Sequence, residues 1–391
     1  MKYVFSDNIG NLKPSAIREI LKQSSKPGLI PFSAGNPCFE AFPVKDIARI
    51  SSDILLNNPI EALQYSVTEG YEPLRNYMKK YLSENYNVGS CDDDILITSG
   101  AQQVMNLSAK ILTNRGDSVI CEDPSFIGSL NSFRSYGINL VGVKIESDGI
   151  NIEDLENALK TTKNVKFIYT IPNFQNPTGI TMSLEKRKKV YELAKKYNVL
   201  ILEDNPYGEL RFRGDHIPSI KSFDDSGIVI YAGSFSKVLS PGIRVGYTVA
   251  NKDIISKMVV CKQTDDVHTA LWSQMIAFRF ISECDFKNHL KEIQAIYKRK
   301  AELCMDSTKK YLCPKASFNS VDGGLFLWCE IKTGKDIGEL CTEALQKGVA
   351  VVPGTAFLIN PTDKTNCIRI NYSTPSDEQI VKGLEILGGI L

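Results

Sequence analysis

The stretch VKFIYTIPNFQNPTGITMSLEKRKKVYELAKKYNVLILED (165–204) decides the fold. VKFIYTIP reads as a buried strand, a short apolar run rich in branched and aromatic residues. NPTG is turn chemistry, with Asn-Pro followed by Gly. SLEKRKKVYELAKKYN reads as an amphipathic helix that starts at a Ser cap, with Glu185 just inside it. VLILED is again a strand. Strand, turn, helix and strand make a βαβ unit, and such a unit implies parallel strands.

The alternation extends both ways. DILITSG (94–100) reads as a strand ending in a Ser-Gly turn, and AQQVMNLSAKILTNRGD (101–117) as a helix stopped by Gly116. SVICEDP (118–124), a helix near 126–136, NLVGVKI (139–145) and the helical NIEDLENALK (151–160) follow. GIVIYAGS (227–234) and RVGYTVA (244–250) are further strands. The pattern predicts an α/β fold in which helices flank a mostly parallel sheet. Residues 252–312 read as two long helices. GGLFLWCEI (323–331), a helix over 336–347, VAVVPG (349–354), CIRINYS (367–373) and a last helix from Pro375 predict a smaller α+β domain. The expected division is a large domain over 45–260, with a small domain formed by 1–44 and 261–391. The Pro/Gly-punctuated N-terminal segment is expected to pack on the small domain or across the cleft.

With 391 residues, 43% hydrophobic and 23% charged, the chain can bury a large core without staples. A net charge of +1 gives no reason to expect nucleic acid or an anionic membrane as partner. No apolar run approaches the length of a membrane span, and the first residues lack an apolar signal core. The ten scattered cysteines form no C-x-x-C pair and read as reduced thiols of a cytoplasmic protein. Three histidines, far apart, make a His-based metal site or a Ser-His-Asp triad a poor reading, and no metal is expected. Lysine and carboxylate chemistry moves up instead.

Ligands of α/β sheets sit at the carboxyl ends of the strands. There, Ser99, Gly100 and Ala101 open a helix whose free N–H groups suit a phosphate, although the same residues fit a plain capped turn. Asn176 brings a side-chain amide to the end of VKFIYTIP. VLILED ends in Glu203-Asp204, followed by Tyr207, and an acid closing an apolar run needs a cation or a strong donor. SFSKVLSPGIRVGY (234–247) sets Lys237 between Ser234 and Ser236, ahead of Arg244. A cleft lysine of lowered pKa attacks a carbonyl and forms an imine, while Arg244 and the serines suit a phosphate. An aldehyde, a ring nitrogen, a phenolic oxygen and a phosphate are the groups of pyridoxal 5′-phosphate, and the set matches them one to one.

The chain resembles the class I/II pyridoxal-phosphate aminotransferases of fold type I, and within them the 2-aminoadipate, kynurenine and aromatic or broad-specificity subgroup. SAGNP, LQYSVTEGYEPLR, ITSGAQQ, CEDPSF, NFQNPTG, LEDNPYGEL, SFSKVLSPGIRVGY and CIRINYS carry the resemblance, in the family's order and over nearly the whole chain. It implies that Lys237 bonds the cofactor and shuttles the proton, that Asp204 pairs with the ring nitrogen, and that Asn176 and Tyr207 meet the phenolic oxygen. It implies that Ser99, Gly100, Ala101, Gln102, Ser234, Ser236 and Arg244 hold the phosphate. Tyr65 would reach the phosphate of the neighbouring subunit of a homodimer. Phe126 would stack on the ring, where relatives often carry tyrosine. Arg369 would clamp the substrate α-carboxylate, with Asn176 beside it. Gly35 and Asn36, in AGNPCFEAFP, line the substrate pocket, and Arg18 in SAIREILK is a candidate for a second carboxylate or simply a solvated helix face.

The implied activity moves an amino group from 2-aminoadipate, an aromatic amino acid or a broad range of donors to a 2-oxo acid, with 2-oxoglutarate expected, in two half-reactions. The alternatives are a lyase or decarboxylase that uses the same cofactor, and the effector-sensing half of a transcription regulator. The latter carries a DNA-binding winged helix ahead of the fold, whereas this sequence starts directly at the aminotransferase segment.

Overall fold

A computed structural model describes residues 3–10, 28–360 and 362–391. Its larger sheet has eight strands: β1 (Asp93–Thr98), β2 (Ser118–Asp123), β3 (Asn139–Glu146), β4 (Gly149–Ile150), β5 (Val165–Thr170), β6 (Leu200–Asp204), β7 (Val229–Ser234) and β8 (Gly246–Asn251). They lie in the order β1-β8-β7-β6-β5-β2-β3-β4. Neighbours from β7 through β6, β5 and β2 to β3 are parallel, and β8 runs against both β1 and β7. The carboxyl ends of β1, β2, β5, β6 and β7 therefore share one edge. Because β8 is reversed, its first residue lies at that same edge: Gly246 pairs with Thr98 on one side and Ser234 on the other.

The βαβ unit forms as the sequence predicts. The helix Leu184–Tyr197 begins at Ser183, whose hydroxyl accepts the Lys186 N–H, and ends at Asn198 in the left-handed conformation. Val190, Leu193 and Ala194 on its buried face pack on the sheet strands through Ile168 and Ile201. Two short strands escape sequence reading, β4 and β9 (Ala316–Phe318), being too brief to show a period.

Residues 252–312 form three helices rather than two long ones: Lys252–Gln263, Leu271–Glu283 and Phe286–Tyr311. The first ends where the N–H groups of Asp265, Asp266 and Val267 all turn back to the Lys262 carbonyl, and Val267 takes a φ of 64°. Lys262 is itself fully buried. Its Nζ is held by Asp266, Gln103 and Thr269, so the polar run 264–266 folds inward around it instead of extending a helix.

The smaller sheet is antiparallel, in the order β11-β12-β10-β9, with β10 (Phe326–Ile331), β11 (Val352–Pro353) and β12 (Cys367–Asn371). Of the run VAVVPG only the last part joins β12. Residues 349 and 350 pair instead with the N-terminal segment, where the Ala350 N–H donates to the Ile30 carbonyl at 3.0 Å. Ile30 and Phe32 enter the small sheet's apolar cluster. Within the N-terminal segment, residues 30–32 thus pack on the small sheet and Gly35 reaches the cleft. The apolar cluster of the large sheet runs past residue 260, taking in Leu271, Met275, Phe280 and Ile293.

One fully buried cation fixes the loop between β5 and the helix Leu184–Tyr197. Arg187 donates from Nε to Met182 O, from Nη1 to Ile217 O and Pro218 O, and from Nη2 to Pro172 O and Asn173 Oδ1, at 2.7–3.1 Å. Burial lowers its pKa to about 10. Replacing Arg187 by Met would leave the carbonyls of Met182, Ile217 and Pro218 without this donor and Pro172 O with the Met182 N–H alone, each unmet buried group costing about 1–3 kcal/mol. We expect the chemical denaturation midpoint to fall by an equivalent of ~3–5 kcal/mol with an unchanged m-value. An unchanged midpoint would show that water satisfies these carbonyls.

Candidate active site

The shared strand edge collects most of the residues singled out in the sequence. Asp204 ends β6 and is 5% exposed. Its Oδ2 accepts the Tyr169 hydroxyl at 2.9 Å, while its Oδ1 is buried and has no hydrogen-bond partner among the described residues. Burial raises its pKa to about 7, the Tyr169 bond pulls it down and the nearby Glu122 pushes it further up. The partner the sequence demanded is thus half supplied, by a neutral donor. The second oxygen remains an acceptor for a buried N–H.

Lys237 lies in the loop between β7 and β8. Its Nζ donates to the Gly35 carbonyl at 2.8 Å, across the cleft. Burial, and then the charges of Arg244 and Arg369, lower its pKa to about 8. A neutral amine, the form that attacks a carbonyl, is therefore well populated near neutral pH. Ser234 and Ser236 flank it, and the Ser234 hydroxyl accepts the Ser236 N–H at 3.1 Å.

Arg244 precedes β8, with φ 54°, and is exposed at the strand edge. Its guanidinium donates to Ser99 O and Pro241 O and covers Gly100. Gly100 has a φ of 79°, and a Cβ there would fall 2.5 Å from Arg244 Nη2. Only glycine fits this approach. The helix Ala101–Leu112 starts at this point, and the Ala101 and Gln102 N–H groups have no acceptor within it. Backbone donors, a helix N-terminus and a guanidinium meet here as an anion cradle. The Ser99 hydroxyl instead donates to Asp266 Oδ2 at 2.6 Å, and the Gln102 amide ties the helix to Gly128 O and Ser132 Oγ. Phe126 caps the helix Ile127–Arg134, its ring against Gly128.

Asn176 follows β5 and is buried. Its Nδ2 donates to the Tyr207 hydroxyl at 3.5 Å, and its Oδ1 accepts from Arg369 Nη1 at 3.0 Å. Burial, then the charge of Asp204, raises the Tyr207 pKa. Arg369 sits mid-β12 on the small sheet, its guanidinium 4.3 Å from the Phe326 ring centre and 5.0 Å from that of Phe357. Its Nη2 donates to Ser33 O and Ala34 O. Its Nε is buried with no partner among the described residues. The Asn36 carbonyl accepts the hydroxyls of Ser373 and Thr374, which fixes the segment beside Arg369.

Tyr65 is 81% exposed, its ring edge-on to His268 at 5.8 Å. Arg18 lies outside the described residues. Sequence reading missed Tyr169 and the ring pair Phe326 and Phe357. The signal for Tyr169 was available in outline, since Asp204 required a strong donor, but a tyrosine inside an apolar strand reads as core.

Residues 27–387 match the family model described as aminotransferase class I and II. The chain belongs to that family. It is 36% identical over 387 residues to an aromatic-amino-acid aminotransferase of Thermococcus litoralis, covering 98% of this chain and 93% of that protein. It is 35% identical over 390 residues to a 2-aminoadipate transaminase of Thermus thermophilus, covering 99% and 96%. Its structure superposes with a TM-score of 0.95, at 35% identity, on the kynurenine aminotransferase of Pyrococcus horikoshii in complex with PMP, covering 99% of this chain and 96% of that one. The aminotransferase is a pyridoxal-phosphate enzyme that acts on amino and 2-oxo acids. Its own residues fit that cofactor. The orphaned Asp204 Oδ1 answers the ring nitrogen, the Gly100–Arg244 cradle answers the phosphate, and Lys237 answers the aldehyde.

Gly100→Ala forces a Cβ into the Arg244 guanidinium at a φ that costs a side chain ~1–3 kcal/mol. We expect cofactor affinity, measured by equilibrium dialysis, to fall about tenfold or more while the far-UV spectrum holds. Full affinity would remove Gly100 and Arg244 from the phosphate cradle.

Proposed function

We propose that this aminotransferase moves the amino group of an aromatic or long acidic amino acid, such as 2-aminoadipate, to 2-oxoglutarate, in two half-reactions at one site. The reading rests most on the buried Asp204 Oδ1, which has no partner among the described residues and lies at the same strand edge as Lys237 and Arg244. Relatives named for aromatic amino acids, 2-aminoadipate and kynurenine support the donor class.

When bound, the cofactor supplies an aldehyde that takes up the amino group and a ring that accepts negative charge. The chain's own residues do the rest. Lys237 Nζ would take the proton from the donor's Cα and give it up at the carbon of the former aldehyde, a task that its lowered pKa suits. Asp204 Oδ1 accepts from the ring nitrogen and holds it protonated. Asn176 and Tyr207 donate to the phenolic oxygen. Ala101, Gln102, Ser234, Ser236 and Arg244 hold the phosphate with Ser99 and Gly100, and Phe126 covers the ring. Arg369 binds the α-carboxylate, and the rings of Phe326 and Phe357 hold the guanidinium plane. Gly35 and Asn36 line the substrate side, and Arg18 is a candidate for the distal carboxylate.

The working form we propose is a cytoplasmic homodimer. Leu56, Ile60, Leu63, Tyr65 and Val67 are each more than half exposed along one short stretch, an apolar surface suited to a second copy, and from it Tyr65 would reach the partner's phosphate. All ten cysteines are free thiols, which fits a reducing compartment. No helix among the described residues is long and apolar enough to cross a membrane. We also propose two domains, built on the two sheets, with the cofactor on the large one.

The test is a panel assay with added cofactor and 2-oxoglutarate, offering 2-aminoadipate, aromatic, branched-chain and small amino acids. Glutamate formation with the acidic and aromatic donors is the expected result. Lys237→Ala should lose turnover by roughly 100- to 10,000-fold or more, together with the near-visible band that arises from the bond between Lys237 and the cofactor. Substantial turnover in that variant, or release of pyruvate, ammonia or carbon dioxide without glutamate, would overturn the reading.

A further inference from the structure

The strand register sets an unassigned residue beside Asp204. Tyr169 in β5 pairs with Leu202 in β6, and side chains two apart on a strand share a face, so Tyr169 and Asp204 are diagonal neighbours on one face of the sheet. Tyr169 is fully buried, its ring edge-on to Phe133 at 5.3 Å. Its hydroxyl lies 2.9 Å from Asp204 Oδ2 and 2.8 Å from Ser129 Oγ. A phenol has one proton, and an ionised carboxylate has none to give. With Asp204 ionised, the single Tyr169 proton goes to the carboxylate, and the Tyr169 oxygen then accepts from the Ser129 hydroxyl.

We propose that Tyr169 is a positioning residue for the cofactor: with Ser129 behind it, its hydroxyl pins one oxygen of Asp204 and leaves the other as the acceptor for the ring nitrogen. The inference rests on the reading of Asp204 given above. The chain of two hydroxyls polarises toward the carboxylate and favours its charged form. The other groups that act on Asp204 oppose that charge or are neutral. Glu122, on β2, is a second buried carboxylate that accepts from Thr170, Ile171 and Gln175, and Tyr207 faces Asp204 as a neutral phenol. Among the described residues, Tyr169 is the one hydrogen-bond donor to the Asp204 carboxyl.

The sign follows from linkage. Burial puts the Asp204 pKa at about 7 without cofactor, so below that pH the carboxyl carries a proton that must leave before it can pair with a protonated ring. Cofactor affinity should therefore fall as pH drops through that value. Removing the Tyr169 hydroxyl removes the influence that lowers the pKa, so the fall should begin at higher pH.

The probe is pyridoxamine 5′-phosphate, which cannot bond Lys237, added to full-length protein stripped of cofactor, with its dissociation constant measured across pH. In Tyr169→Phe the inflection should move up by about one pH unit or more, so that affinity falls about tenfold near neutral pH and recovers at high pH. Ser129→Ala, which leaves the Tyr169 ring in place, should shift it less and in the same direction. Asp204→Asn should abolish it. A loss equal at every pH in Tyr169→Phe, or an inflection that Asp204→Asn removes and neither hydroxyl variant moves, would overturn the inference alone. Should Tyr169→Phe fail to fold, the shift or its absence in Ser129→Ala decides the matter. Failure of the unaltered protein to bind the probe would overturn the site reading and the inference with it.

Discussion

Asp204 is buried at the end of a central strand with one carboxylate oxygen bonded and the other bare among the described residues, and much of the structure can be understood from that imbalance. A desolvated carboxylate costs several kcal/mol unless compensated, and half compensation leaves part of that penalty standing. Such a residue persists only where a large surrounding core holds it. The strands on either side of β6 supply that core with Ile168, Tyr169, Ile230 and Ala232, all with almost no exposed surface. The bare oxygen is then a preorganised acceptor, fixed before any ligand arrives. Arg369 repeats the theme with the opposite charge, since a buried guanidinium with an idle Nε–H is a preorganised donor.

How the site assembles depends on strand direction. Parallel neighbours bring the ends of β1, β2, β5, β6 and β7 to one edge, and the reversed β8 adds its beginning there. Three residues far apart in sequence, Asn176, Asp204 and Lys237, become neighbours of one cleft for that reason alone. The small sheet contributes through a different rule. Along β12, Ile368 and Ile370 enter the small core and Arg369 takes the opposite face, toward Asn176 and the Phe326 ring.

Much of this was legible in the sequence, and the exceptions have physical reasons. Central strands such as 165–170 and 200–204 announce themselves as apolar runs because both faces are covered. Asp204, Asn176 and Lys237 stand out because each is a polar interruption at the end of such a run. Tyr169 and Phe326 do not, since an aromatic inside an apolar run looks like packing, and only the register shows what their faces touch. The break at 264–270 was illegible because it depends on Lys262, a residue type that normally marks a surface, lying buried beneath Asp266, Gln103 and Thr269, which bind its Nζ. The pairing of residues 349–350 with Ile30 was hidden for a related reason: a long-range bridge leaves no local trace.

The reversal of β8 also has a consequence for how the two sheets act on one another. It confines Lys237 and Arg244 to a single loop between two hydrogen-bonded strands, both anchored in the large sheet. The proposed grip of Lys237 and Arg244 on the cofactor would thereby be held at fixed spacing by one short piece of chain. Arg369 and its aromatic neighbours belong to the other sheet, and Gly35 to the segment that packs on it. The two halves meet through the Arg369–Asn176 and Lys237–Gly35 hydrogen bonds, so a displacement of one sheet against the other would be felt at once by the guanidinium and by the lysine.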